Sequence, residues 1–148
     1  MTEPATFYAV MLMAAAHFAV MNATMAQAIN LMMLKGRAIQ AINHALQDPV
    51  RSTSDQVVGA VMKMAAYEAI FGEADAYKSH MAGLQRMIVL RGGLPTLGMN
   101  GLLERMILWI DCNASQLLGC NLTFDKRWFP TTVMHPPTDL LHFAGVSE

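Results

Sequence analysis

Charge is what this sequence has least of. Asp, Glu, Lys and Arg together make up 14% of its 148 residues, against about 25% in an ordinary globular domain. What charge there is nearly cancels: ten Lys and Arg against eleven Asp and Glu leave a net −1. A chain with no basic surplus has no face for releasing counterions from a phosphate backbone, so direct nucleic-acid binding is not expected. Cysteine is almost missing too. Cys112 and Cys120 are too few to staple a small secreted fold or to fill a four-ligand zinc site. No stretch alternates apolar with polar residues as a half-buried strand would. What remains is a chain that is 54% hydrophobic, too apolar for disorder and long enough for one domain. The composition implies an apolar, helical, intracellular domain.

The opening segment carries the lack of charge furthest. From Pro4 to Leu34 there is no Lys, Arg, Asp or Glu, and Phe7 to Met21 is apolar apart from His17. A signal peptide requires a positive start, and the only charge ahead of the segment is Glu3. A membrane span needs about 20 apolar residues; lengthening this run would bury Asn22, Thr24, Gln27 and Asn30. The segment therefore reads as helix folded into the interior, with a membrane anchor over residues 7–34 as the competing reading. Sequons at Asn22, Asn113 and Asn121 read as chance matches when no export signal accompanies them.

Helix signals divide the rest. Pro4 suits a first turn, predicting a helix to Met21. Thr24-Met25-Ala26-Gln27 has the form of a capping box and opens a second helix that stops at Asp48-Pro49. Its apolar stripe is Ala38, Ile39, Ile42, Ala45 and Leu46, with Lys35 and Arg37 off it. A second box, Thr53-Ser54-Asp55-Gln56, opens a third helix with Val57, Val58, Val61, Met62, Ala65 and Ala69 on its apolar face, ended by Gly72. The fourth runs from about Glu73 to Leu90 with Tyr77, Met81, Leu84, Met87 and Ile88 inward. Gly92 and Gly93 close it through a left-handed turn. Asn100 is a fair N-cap for a fifth, whose Leu103, Met106, Ile107, Ile110, Ala114, Leu117 and Leu118 repeat at helical spacing. The prediction is an all-α fold of about five helices packed as antiparallel helical hairpins over residues 4–118. An irregular, Pro-containing C-terminal tail follows over residues 119–148, with Lys126-Arg127-Trp128-Phe129, Pro130, Pro136 and Pro137.

Chemical motifs are weak. The glycine-rich "RGGLPTLGMNG" from Arg91 to Gly101 could in principle cradle a phosphate at a helix start. Gly93 and Gly98 have phosphate-loop spacing, yet Met99 and Asn100 stand where Lys and Ser or Thr are required. It reads as a turn between two helices. His17, His44, His80, His135 and His142 include no pair four residues apart, so no metal site is expected. Nucleophile elbows and cysteine redox pairs are absent. No catalytic, cofactor-binding or metal residue is assigned, and no cofactor is expected. Four groups fall on or beside apolar stripes: Glu68, His80, Arg91 and Asp111. Buried carboxylates need partners, so these four form a candidate internal polar network, with Arg86 and Arg105 as further partners. The alternative is a ligand site between helices. Methionine, at 14 residues, reads as flexible core filling or the lining of an adaptable groove.

Particular stretches resemble a known family. His80-Met81-Ala82-Gly83-Leu84, Leu90-Arg91-Gly92-Gly93-Leu94, and Trp109-Ile110-Asp111 with Ala114 resemble the fungal-specific transcription factor domain. This is the helical regulatory region found carboxy-terminal to zinc binuclear-cluster DNA-binding domains. The earlier "KGRAIQAINHALQDP" is similar to the helix that precedes this block in such proteins, so the resemblance covers about Phe7 to Leu118. It implies a non-enzymatic regulatory or interaction module in transcription, acting through a protein partner, a homo-oligomer or a small apolar effector. The cysteine cluster that reads DNA in that family has no counterpart in this sequence, and no DNA-binding head is expected. The chain reads as a stand-alone regulatory-like domain or as a piece of something longer. Nuclear placement follows from the resemblance alone; otherwise nuclear and cytoplasmic stay open. The high apolar content predicts that some apolar surface stays uncovered in one copy. An effector cavity is expected between the first, second and fifth helices.

Overall fold

A computed structural model describes residues 3–22 and 24–124. Within them the fold is all-α, with no strand. Its helices are α1 (Pro4–Met21), α2 (Met25–Leu46), α3 (Asp55–Phe71), α4 (Ala74–Arg91) and α5 (Leu102–Leu118). Two 3-10 turns, Leu94–Thr96 and Met99–Gly101, join α4 to α5. The tail expected over 119–148 lies mostly outside the described residues, as do Lys126, Arg127, His135 and His142.

Local chemistry sets most helix ends. Pro4 occupies the first turn of α1, and the Glu3 carboxylate accepts from the Ala5 amide. Thr24 and Gln27 form the reciprocal capping box at the start of α2. Gly92 ends α4 with φ 115°, where any side chain would be strained. Two sequence expectations need correction. The cap of α3 is Ser54, whose hydroxyl accepts from the Val57 amide; Thr53 sits outside the helix with its carbonyl held by Arg91. The cap of α5 is Gly101 at φ 80°, because Asn100 itself is left-handed at φ 53° and belongs to the preceding 3-10 turn.

The helices run alternately up and down. Thr6 Oγ1 donates to the Gln56 carbonyl at one end of α1, and the His17 ring meets Phe71 edge-on at the other. Those two contacts make α1 and α3 parallel, with α2 antiparallel beside them. Glu3 and Arg51, paired at 2.6 Å, fasten the start of α1 to the α2–α3 loop. The Arg51 guanidinium holds the Glu3 carboxyl below its usual range.

The central element is α3, which touches all four other helices. From Val57 to Glu68 every residue but Ala66 is buried. A helix enclosed on all sides needs apolar residues all round rather than a stripe, and Ala60 and Met64 complete the ring. The same enclosure traps Lys63, whose pKa burial pulls down to about 8. On α4, Tyr77, Met81, Leu84, Met87 and Ile88 all face inward as the spacing predicts. On α5 the stripe ends early: Ala114 is buried, whereas Leu117 is exposed.

The uncharged opening segment divides in two. Ala5, Ala9, Leu12, Met13 and Ala16 of α1 are buried, so this inner face is interior as expected. By length and composition α1 could cross a membrane, and 28% of that window is buried in the fold. Its outer face, with Phe7, Met11 and Phe18, is exposed. So is most of α2 before Leu34.

Candidate functional site

A groove of about 460 Å³ lies over α3, between α2 and α4. It is not between α1, α2 and α5, where an effector cavity was expected. The reason is that α2 and α4 flank α3 without closing on each other. Val61 of α3 forms its floor, Ile39, Ile42 and Leu46 of α2 one wall, and Met87 and Leu90 of α4 the other. Gly83 leaves the α4 wall open, since a side chain there would meet nothing within 4 Å. Polar groups enter at the rim: Asn43, Ser52, His80 and Arg86. The volume lies within the range of about 300–1,000 Å³ usual for ligand sites.

Glu68 is 1% exposed, and Lys35 from α2 reaches its Oε1 at 2.6 Å. The contact is an ion pair off the line of a hydrogen bond. The other carboxylate oxygen accepts from the Glu73 amide at 3.0 Å. Gly72 is required beside it, because a Cβ there would run into Glu68 Oε2. The Lys35 ammonium also lies 5.7 Å from the centre of the Tyr67 ring, a cation–π contact.

His80 lines the groove within electrostatic reach of both Glu68 and Lys35. Burial lowers its pKa below 6.5; the Glu68 charge opposes the shift and Lys35 adds to it. Below pH 6.5 the unfolded chain takes up a proton that folded His80 refuses, so stability falls as the solution is acidified through that range. Above pH 6.5 both states are neutral and the term vanishes. His80→Gln should flatten this slope in urea titrations run at successive pH values.

Arg91 lies elsewhere. It ion-pairs with Asp55 at the start of α3 and donates to the carbonyls of Thr53 and Thr96. Asp55 in turn accepts from the Gly98 amide at 3.2 Å, and a Cβ on Gly98 would collide with that carboxylate. The glycine-rich segment is thus folded around an internal clasp. Its turns connect two helices, and no strand precedes it.

Asp111 occupies a third place, fully buried on α5. Its oxygens accept from the amides of Thr123 and Phe124 at 2.9–3.0 Å. This anchors the chain where it leaves α5 and lets Phe124 close the core. The neighbouring Tyr77 hydroxyl is buried with no hydrogen-bond partner among the described residues. Burial raises its pKa, and the Asp111 charge raises it further. Asp111→Asn keeps the shape but turns an amide donor toward backbone donors. It should cost about 2 kcal/mol in urea unfolding; a change within error would contradict the anchoring role.

The four sequence-selected residues therefore occupy three places. Glu68 and His80 share one, while Arg91 and Asp111 are each held by other groups. Sequence reasoning missed Lys35 as the partner of Glu68. The signal was present, since Lys35, Ala38, Ile42 and Ala45 lie three, four and three residues apart on one helical face. Ile39 and Leu46, assigned to the core, instead form the wall of the groove. Among the described residues no three His, Cys, Asp or Glu gather as a metal site.

Comparison with known proteins adds one finding. A family model described as the fungal specific transcription factor domain matches residues 1–145. No curated protein and no solved structure matches the chain.

Proposed function

The chain belongs to the fungal specific transcription factor domain family, and from that premise we propose that it is a non-enzymatic regulatory module acting in the nucleus through contacts with other proteins. The family gives the role in transcription regulation. The manner of action is inferred from the groove between α2 and α4. An open apolar channel flanked by two helices, with a few polar groups at its rim, suits an amphipathic partner helix. The wall residues Ile39, Leu46 and Leu90 are apolar yet exposed, as an interface waiting for a partner requires.

The test is a transcription assay. The full chain, fused to an unrelated DNA-binding domain, should change reporter output severalfold relative to that domain alone. Ile39→Glu with Leu90→Glu should abolish the change while leaving the melting temperature in place. Reporter output equal to that of the DNA-binding domain alone would overturn the reading.

One observation favours a second reading, an effector-sensing domain. Arg86 stands at the groove rim with no carboxylate partner among the described residues. An apolar molecule with an anionic head would fit the walls and this cation together. Such a ligand binds only the folded state and must raise the melting temperature, an effect that Arg86→Ala should remove.

A further inference from the structure

We propose that the free end of the α1–α2 hairpin is a self-association surface, on which a second copy of this chain docks by a two-fold axis. The hairpin is longer than the body beneath it. His17 meets Phe71, the last residue of α3, and Lys35 meets Glu68 near the same end. The last turn of α1 and the first turn of α2 opposite it extend past α3, while α2 from Asn30 onward lies beside Tyr8 and Ala15 of α1. At about 1.5 Å per residue, the four residues of α1 beyond His17 project on the order of 6 Å.

This end carries large apolar side chains that the described residues leave exposed. Met21 is 83% exposed, Met25 79% and Met32 76%, with Phe18, Val20, Ile29 and Met33 each more than half exposed. Seven such side chains present on the order of 800 Å². Only part of that area can enter one two-fold contact, enough for an interface of the smaller class, and the whole is more apolar surface than a monomer ordinarily leaves open.

Charge selects the occupant. No Asp, Glu, Lys or Arg lies between Pro4 and Leu34, so the surface offers no charged side chain to complement an acidic or basic partner. Two copies of it face each other without like-charge repulsion, the condition an isologous contact needs. Two hairpin ends laid side by side make a four-helix arrangement, the usual way such ends are buried. Flexible methionines suit a surface that must fit its own image. A lipid surface is the poorer match. It would require basic residues to meet the headgroups, and it would leave Asn22, Thr24 and Asn30, all exposed on the same end, against the bilayer.

The surface is separate from the groove, and its test reads mass rather than transcription, so either inference can fail alone. Sedimentation equilibrium of the full chain at micromolar concentration should give twice the 16.2 kDa chain mass. Met25→Glu with Met32→Glu places four charges across the two-fold axis and should give one chain mass with helix content unchanged, its melting now independent of concentration. Met25→Ala with Met32→Ala, which keeps helix propensity, should weaken association at least ~10-fold and serves if the charged variant fails to fold. A wild-type chain that is monomeric at these concentrations overturns the proposal. So does a variant that folds and still dimerises, or a wild-type chain that leaves the dimer to float with phosphatidylcholine vesicles.

Discussion

Lys35→Met should destabilise the fold by about 2–3 kcal/mol, while Lys35→Met combined with Glu68→Met should cost less than about 1 kcal/mol. Removing the lysine strands a carboxylate that is 1% exposed, with only the Glu73 amide left to it among the described residues. Breaking one side of a buried pair typically costs about 3–5 kcal/mol. The figure here is set lower because the Lys35 side chain is 34% exposed, and water already screens part of the attraction. Removing both partners deletes the desolvation cost together with the attraction, which is why apolar replacements of buried pairs are often neutral. Urea unfolding of the two single variants and the double variant gives the coupling directly. Additive losses would mean that Lys35 and Glu68 do not act as a pair.

Measured at a concentration low enough to hold the chain monomeric, Leu12→Ala should cost about 3 kcal/mol, and Met25→Ala no more than about 0.5 kcal/mol. Leu12 lies on the inner face of α1 and is fully buried. Truncating a buried leucine loses its transfer energy and leaves a cavity, at about 2–5 kcal/mol in all. Met25 stands on the free end of the hairpin and loses almost no burial in a single copy. The contrast separates two parts of a segment whose composition is uniform. Equal effects at the two positions would contradict the division of the hairpin into a buried half and a projecting half.

How much of this was legible in the sequence depended on how local the cause was. The ends of α1, α2 and α4 follow from Pro4, the Thr24–Gln27 box and Gly92, each of which acts within one helical turn. The inward face of α4 followed from spacing alone. The cap of α3 was misplaced by one residue because Thr53 and Ser54 are both competent caps. What decides between them is Arg91, which takes the Thr53 carbonyl from 38 residues away. The cap of α5 was missed for a related reason: Asn100 adopts a left-handed conformation within a turn built around the Arg91–Asp55 clasp. The central position of α3 was written in its apolar residues on all sides, yet a search for stripes reads such a helix as one-faced. The Lys35–Glu68 pair joins residues 33 positions apart in sequence. Only the antiparallel packing of α2 on α3 brings them together, although the helical phase of Lys35 already placed it on the buried face. The groove had no sequence signal at all. It arises because α2 and α4 stand apart on α3, and Ile39 and Leu46 look like core until that gap is seen.

Amide hydrogen exchange across residues 4–34 tests the central claim most directly. This claim is that the uncharged opening segment is half core and half exposed contact surface. With Met25→Glu and Met32→Glu in place to hold the chain monomeric, amides from Ala9 to Ala16 should be protected as strongly as those of α3, and should open together with them. Those from Met25 to Met32 should exchange far faster. Uniform fast exchange through α1 would contradict the account, as would protection of α1 that appears only when lipid is added.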